Sequence, residues 1–171
     1  MNLSTTKNRV LELANQNQVL YGTGLKYGEA HFPTQTRVGE PIGAYYLYQM
    51  DGIFQSDAEV QNHFATVDGQ KVLIQPDAAA GDIRFKDMNG DGQLTEDDMV
   101  YSGSGIPTLE ANLLLNLGWK GFDFSATIGS AWGSEIYNGT NYFYEAMSAG
   151  SNFLSSTLNA WTESNHSNTM P

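Results

Sequence analysis

Leu109-Glu-Ala-Asn-Leu-Leu-Leu-Asn-Leu-Gly-Trp119, then Lys120-Gly121, then Phe122-Asp-Phe-Ser-Ala-Thr-Ile-Gly-Ser-Ala-Trp132 is the most regular stretch of the sequence. Every odd position from Leu109 to Trp119 is apolar, while the even positions are Glu110, Asn112, Leu114, Asn116 and Gly118. A period of two predicts a strand with one greasy face. Lys120-Gly121 supplies a tight two-residue turn. Beyond it, Phe122, Phe124, Ala126, Ile128, Ser130 and Trp132 share one face, and Asp123, Ser125, Thr127, Gly129 and Ala131 the other. The expected element is a hairpin of two strands of about ten residues, the length a tilted β-strand needs to cross a bilayer. A soluble sheet packed on a core shows the same alternation. Two features favour the membrane reading: the second face is nearly uncharged and rich in small polar residues, and Trp119, Phe122, Phe124 and Trp132 sit at the strand ends as interfacial girdles do.

Composition agrees with a β-rich chain. The 171 residues suffice for one ordinary domain, and the charged fraction of 16% is below the roughly 25% of typical globular domains. Gly, at 18 residues, and aromatics, at 12%, are plentiful. The net charge of −11 and pI near 4.4 exclude nucleic acid as a partner and disfavour an anionic membrane surface, both of which call for clustered Lys and Arg. Cys is absent, which removes disulfides, zinc thiolates and cysteine nucleophiles, and His31, His63 and His166 have no ligand spacing. Met1 to Val10 carries Lys7 and Arg9 without a following signal-type apolar run, and no 18-residue apolar stretch occurs. The sequence as written is therefore expected neither to direct its own export nor to hold a membrane helix.

Elsewhere the patterns are weaker. Ile42 to Phe54 places Ile42, Ala44, Tyr46, Tyr48, Met50, Gly52 and Phe54 on one face and predicts a single strand. Eleven acids against Lys71, Arg84 and Lys86 fall between Asp51 and Asp98, so about −8 of the net charge lies there, and the stretch reads as a long solvated connection. Phe153, Leu154, Leu158 and Trp161 recur at helical spacing and predict a short surface helix over Asn152 to Thr162. The first forty residues show no clean face, and no internal repeat is present.

One motif carries chemistry. Asp87-Met-Asn89-Gly-Asp91-Gly92-Gln93-Leu94-Thr-Glu-Asp-Asp98 fits the twelve-residue calcium loop: side-chain oxygens at positions 1, 3 and 5, Gly at 6, a backbone carbonyl at 7 and a carboxylate at 12. The expected ligands are Asp87, Asn89, Asp91, the Gln93 carbonyl and Asp98, with Leu94 anchoring the loop. Asp rather than Glu at position 12 makes bidentate closure harder, so weak Ca²⁺ binding that also tolerates Mg²⁺ is expected. The plain alternative is an Asn-Gly-Asp-Gly turn held by its own side chains. Gly103-Ser104-Gly105 lacks the outer glycines of a nucleophile elbow, and no phosphate loop or dinucleotide fingerprint occurs, so the expected protein is not an enzyme. In the loop after Trp132, Tyr137, Tyr142, Phe143 and Tyr144 are candidates for stacking on substrate or partner, the plain alternative being that they pack within the loop.

Gly39-Glu-Pro-Ile-Gly43, Tyr45 to Tyr48, Gly52-Ile-Phe54, Gly81-Asp-Ile-Arg84 leading into the Asp87 loop, Pro107, Gly121-Phe-Asp-Phe124, Gly129 to Gly133 and Trp161-Thr-Glu163 near Met170-Pro171 follow one another in an order that resembles the C-terminal part of SusC/RagA-type TonB-dependent outer-membrane proteins. The resemblance spans nearly the whole chain, Ser4 to Leu13 included. It implies a mainly β fold: an antiparallel transmembrane β-barrel fragment with long extracellular loops and a short surface helix. Residues 1–171 would be an internal piece of a 22-stranded barrel, with 51–108 an acidic extracellular loop holding the calcium-type loop at 87–98. The plug and TonB-contacting segment of the family have no counterpart here. The implied function is part of a nutrient importer for glycans or peptides, located in the cell outer membrane. Its implied partners are a SusD-like surface lipoprotein and the TonB complex, the latter through the missing N-terminal part. Short turns of such barrels face the periplasm, which puts Lys120-Gly121 there and the acidic stretch and the Tyr/Asn loop outside. The rival expectation is a secreted, calcium-stabilised β-rich binding or adhesion module; a dockerin would need a second calcium loop, and the sequence has one.

Overall fold

The computed structural model describes residues 1–15, 18–22, 25–27, 29–31, 33–147 and 152–171, with the side chains of 25–27 and 29–31 excepted, so His31 lies outside the described side chains. Strands in chain order are β1 (Asn2–Thr5), β2 (Leu20–Tyr21), β3 (Leu25–Tyr27), β4 (Glu29–His31), β5 (Thr34–Thr36), β6 (Ala44–Leu47), β7 (Met50–Ile53), β8 (Phe64–Val67), β9 (Gln70–Leu73), β10 (Ile83–Phe85), β11 (Val100–Ser104), β12 (Leu109–Trp119) and β13 (Phe122–Trp132). Two short helices, α1 (Asp57–Asn62) and α2 (Asn141–Glu145), and 3-10 turns at Glu96–Asp98 and Ser155–Asn159 complete the set. The fold is mainly β with antiparallel pairings, and among the described strands no sheet closes on itself. Among the described residues no helix is long and apolar enough to cross a membrane. The chain divides into two compact units, residues Met1–Tyr46 with Tyr101–Tyr137, and Leu47–Val100 with Asn138–Pro171.

The first unit contains the expected hairpin. β12 and β13 pair without a break from Leu109↔Trp132 to Trp119↔Phe122. Lys120 (φ 48°) and Gly121 (φ 83°) are both left-handed, as the type I′ turn that matches strand twist requires. Residues opposite each other in an antiparallel pair share a face. The register sets Leu117 against Phe124, Leu115 against Ala126 and Leu113 against Ile128, so the two greasy faces coincide. On the other face Asn116 opposes Ser125, whose Oγ donates to Asn116 Oδ1 at 2.8 Å. β1 adds a third strand with Leu3 opposite Ala111 and Asn2 opposite Asn112, extending both faces. Its residues lie in the stretch that showed no clean face. The apolar side is bare: Leu117, Phe124 and Ile128 are 56–58% exposed.

A second sheet of this unit runs β11-β6-β5-β2. Ala44, Tyr46 and Gln35 are buried in it, Tyr101 meets Tyr46 edge-on at 6.3 Å, and the Arg37 guanidinium stacks 4.5 Å over the Tyr46 ring while donating to Gln35 Oε1 at 2.9 Å.

The single strand expected over Ile42 to Phe54 is two strands in different sheets, β6 and β7. The break falls at Tyr48-Gln49; Gly43 (φ 61°) stands just before β6 and Gly52 (φ 102°) within β7. The register of β7 on β10 shifts between Ile53↔Ile83 and Met50↔Phe85, a bulge-type irregularity. The even positions Ala44 and Tyr46 are buried as the alternation predicts, but Met50 is exposed and Ile53 is buried, because the irregularity switches the inward parity.

In the second unit the acidic stretch is folded through much of its length. Ile53, Phe54 and Val60 form its buried centre, and His63 packs edge-on against Phe54 at 5.4 Å. Ser56 caps α1 by accepting the Glu59 N–H at 3.4 Å, and Glu59 Oε2 accepts the Gln55 N–H at 3.0 Å. β8 and β9 form a hairpin around Asp68-Gly69, both left-handed. Trp161 Nε1 donates to Gln55 Oε1 at 3.1 Å, and its ring leaves no space for a Cβ at Gly81. The helix expected over Asn152 to Thr162 is only the 3-10 turn Ser155–Asn159: Thr157 Oγ1 donates to the Leu154 carbonyl at 2.7 Å, a local side-chain bond that competes with helix, and Leu158 is 86% exposed, so no apolar stripe is buried.

Candidate functional site

The loop from Asp87 to Asp98 leaves the end of β10 and leads into β11. Its carboxylates and amide wrap the backbone on themselves. Asp87 accepts the Gly90 N–H on Oδ1 at 2.6 Å and the Gly92 N–H on Oδ2 at 2.8 Å. Asn89 Oδ1 accepts the Asp91 N–H at 2.9 Å, and Asn89 Nδ2 donates to Asp91 Oδ2 at 3.0 Å. Asp91 Oδ1 accepts the Gln93 N–H at 2.8 Å. These successive turns need left-handed residues, and Gly90 (φ 77°) and Gly92 (φ 80°) supply them.

Asp98 closes the loop from inside. Fully buried, it accepts the Met88 N–H at 2.8 Å and the Asn89 N–H at 3.4 Å on Oδ1, and the Thr95 N–H at 2.8 Å on Oδ2. With the Thr95 side chain it makes a capping box over the 3-10 turn. Burial is the largest single influence on its pKa and acts upward. The backbone donations from Thr95, Met88 and Asn89, with hydrogen bonding to the Asp87 carboxyl, outweigh it and hold the group below the ordinary aspartate value. Burial raises the Tyr48 phenol, and the charges of Glu96 and Asp98 add to the rise.

Gly92 is a close-packed point of the loop. A Cβ at Gly92 would stand 3.1 Å from Val72 Cβ and Cγ1 and 3.2 Å from Val67 Cγ2, so bare backbone presses on the β8–β9 hairpin, while Leu94 is half-buried. The five expected ligands thus lie on one short loop with an all-oxygen donor set, the chemistry Ca²⁺ takes. Among the described residues, no three His, Asp or Glu side chains converge as a ready-made cage. The donors fit a hard cation in kind, and their present partners are mostly backbone N–H groups, with the Asn89 amide also donating to Asp91.

The four candidate rings do not share one element. Tyr137 belongs to the first unit, its ring 6.4 Å from that of Tyr45. Tyr142, Phe143 and Tyr144 are on α2 in the second, all exposed, with Tyr142 and Phe143 edge-on at 5.6 Å. His63 Nε2 bonds the Phe85 carbonyl at 2.9 Å and His166 Nε2 the Glu163 carbonyl at 3.2 Å, which are structural roles.

No family model matches the chain. It is similar to TonB-dependent receptor P3 of Formosa agariphila, 26% identical over 174 residues that take in 99% of the chain and 16% of that receptor. It is also similar to TonB-dependent receptor P26 of the same organism, 28% identical over 136 residues, 80% of the chain and 13% of the receptor. The chain therefore resembles a TonB-dependent receptor over a stretch about one-sixth of such a receptor's length or less.

Proposed function

We propose that this chain is a stretch of an outer-membrane TonB-dependent importer of the SusC/RagA type, supplying wall strands and outward loops and no catalysis. The β1-β12-β13 sheet carries the reading: one face is mostly apolar, with Leu3, the β12 residues Leu113, Leu115 and Leu117, and Phe122, Phe124, Ile128 and Trp132 exposed on it, and the opposite face is mostly polar and uncharged. Eleven residues at about 3.4 Å rise, tilted about 45°, cover roughly 25 Å, the height of the apolar band of such barrels. The similarity to receptors P3 and P26 supports it and does not favour the secreted calcium-stabilised module. On this reading the cargo is a glycan or a peptide, a SusD-like lipoprotein covers the outer side, and TonB engages a part of the protein outside this chain. The loop at 87–98 holds a structural Ca²⁺ or Mg²⁺, and the rings of Tyr137, Tyr142, Phe143 and Tyr144 contribute contact area for cargo or lid.

Cysteine labelling of the intact receptor in living cells tests this. A membrane-impermeant maleimide should react with Asp97→Cys from outside, and with Lys120→Cys only after the outer membrane is permeabilised. Equal labelling of both from outside contradicts the assignment.

A further inference from the structure

Of the basic side chains described, Arg37 and Lys71 lie over the Tyr46 and Phe64 rings and Lys120 over Trp119, while Arg84 and Lys86 pair with Asp51, Arg84 also with Glu59. The two that remain, Lys7 and Arg9, have no ion-pair or ring partner among the described residues, and both line one cavity. Both side chains are solvent-exposed, in a chain whose net charge is −11.

The cavity lies within the first unit and measures about 340 Å³, near the lower end of the roughly 300–1,000 Å³ of small-molecule sites. Its wall includes the Tyr101 ring and, where β12 begins and β13 ends, Thr108 and Gly133. The segment after β1 is fixed there by its backbone: Thr6 N donates to the Thr108 carbonyl at 3.1 Å, and Val10 N to the Glu40 carbonyl at 2.9 Å. The cations are therefore carried on tethered chain. Glu40 also lines the cavity, without an ion pair to either of them, leaving one net positive charge.

We propose that this cavity binds a small-molecule carboxylate. Arg9 offers the planar fork that matches a carboxylate, Lys7 adds a point charge, and Tyr101 offers a hydroxyl for the rest of the ligand, while the Thr108 hydroxyl donates to the Trp132 carbonyl at 3.3 Å. The cavity and its ligand chemistry stand apart from the receptor reading. That reading adds only that the site opens on the outer side, since it sits at the loop ends of the wall strands.

The test is titration calorimetry of the full chain in detergent with sodium glucuronate and with trialanine, against glucose and amidated trialanine as neutral partners. The expected result is binding of at least one acid and of neither neutral partner, weakened by added salt. Glucuronate alone names an acidic sugar, trialanine alone a peptide C-terminus. Lys7→Gln and Arg9→Gln should each weaken binding about tenfold or more, and Glu40→Gln should tighten it, a gain that misfolding cannot produce. Binding of neither acid, equal binding of the neutral partners, or unchanged affinity in the double Lys7→Gln, Arg9→Gln variant would overturn the proposal and leave the labelling test of the receptor reading untouched.

Discussion

Asp98 joins the two ends of a twelve-residue loop through three backbone N–H groups, and its charge is what makes those bonds strong. Its lowered pKa means that the folded form binds this proton less readily than the unfolded chain does. The contribution is therefore complete above the unfolded carboxyl's value and is lost as pH falls through the lower folded value. Amide exchange at Met88, Asn89 and Thr95 should stay slow through mildly acidic pH and accelerate only below the ordinary aspartate range. Asp98→Asn should accelerate it at neutral pH, at a cost of about 1.5–3 kcal/mol for bonds to a charged group. Gly92 poses a different requirement at the same scale. Gly92→Ala combines left-handed strain with the Val67 and Val72 contacts, whereas Gly90→Ala has the strain and open space. The first should destabilise the loop more than the second, whose cost is about 1–2 kcal/mol; limited proteolysis of the loop measures the difference. For the metal, residues 1–171 alone should bind Ca²⁺ with a dissociation constant of roughly 10⁻⁴ to 10⁻³ M, and calorimetry of the intact receptor, where the loop is held preformed, should show tighter binding. The double variant Asp87→Ala, Asp91→Ala should abolish the heat, and heat unchanged in that variant would refute the ligand assignment.

Among the elements, the β12–β13 hairpin was readable from the sequence to the residue, because alternation and turn chemistry agree over twenty-four residues. Lys120 in a left-handed position is the turn's weak choice. Lys120→Asn should raise the denaturant midpoint of the receptor in detergent, and Gly121→Val should lower it. Other elements had signals that a search for long periodicity passes over. Ser56-x-x-Glu59 marks the start of α1, and Asp68-Gly69 marks the β8–β9 turn. The acids of the long acidic stretch hid both. β1 carries no pattern of its own: four residues gain their place from β12, which supplies all their partners. The calcium-type loop was legible as spacing, but Asp98 as a buried staple was not, since a carboxylate at position 12 reads the same whether N–H groups or a cation face it. The split of Ile42 to Phe54 falls at Tyr48-Gln49, and the register shift of β7 on β10 follows it; alternation cannot register either.

At the scale of the whole molecule, a sheet with bare Leu, Phe, Ile and Trp on one face and unpaired edges at β1 and β13 is an association surface in water. The isolated chain should aggregate in plain buffer and become monodisperse in detergent, as light scattering can follow; a cooperatively melting monomer without detergent would count against the membrane reading. The central claim is that this face meets lipid. Single nitroxide labels placed in turn at residues 113 to 117 of the intact receptor in bilayers measure it residue by residue. Collision with oxygen, which concentrates in lipid, should be high at 113, 115 and 117 and low at 114 and 116, with a water-soluble nickel reagent showing the reverse. Equal accessibility at all five positions, or an apolar face shielded from oxygen, would contradict a lipid-facing wall and return the hairpin to a packed soluble sheet.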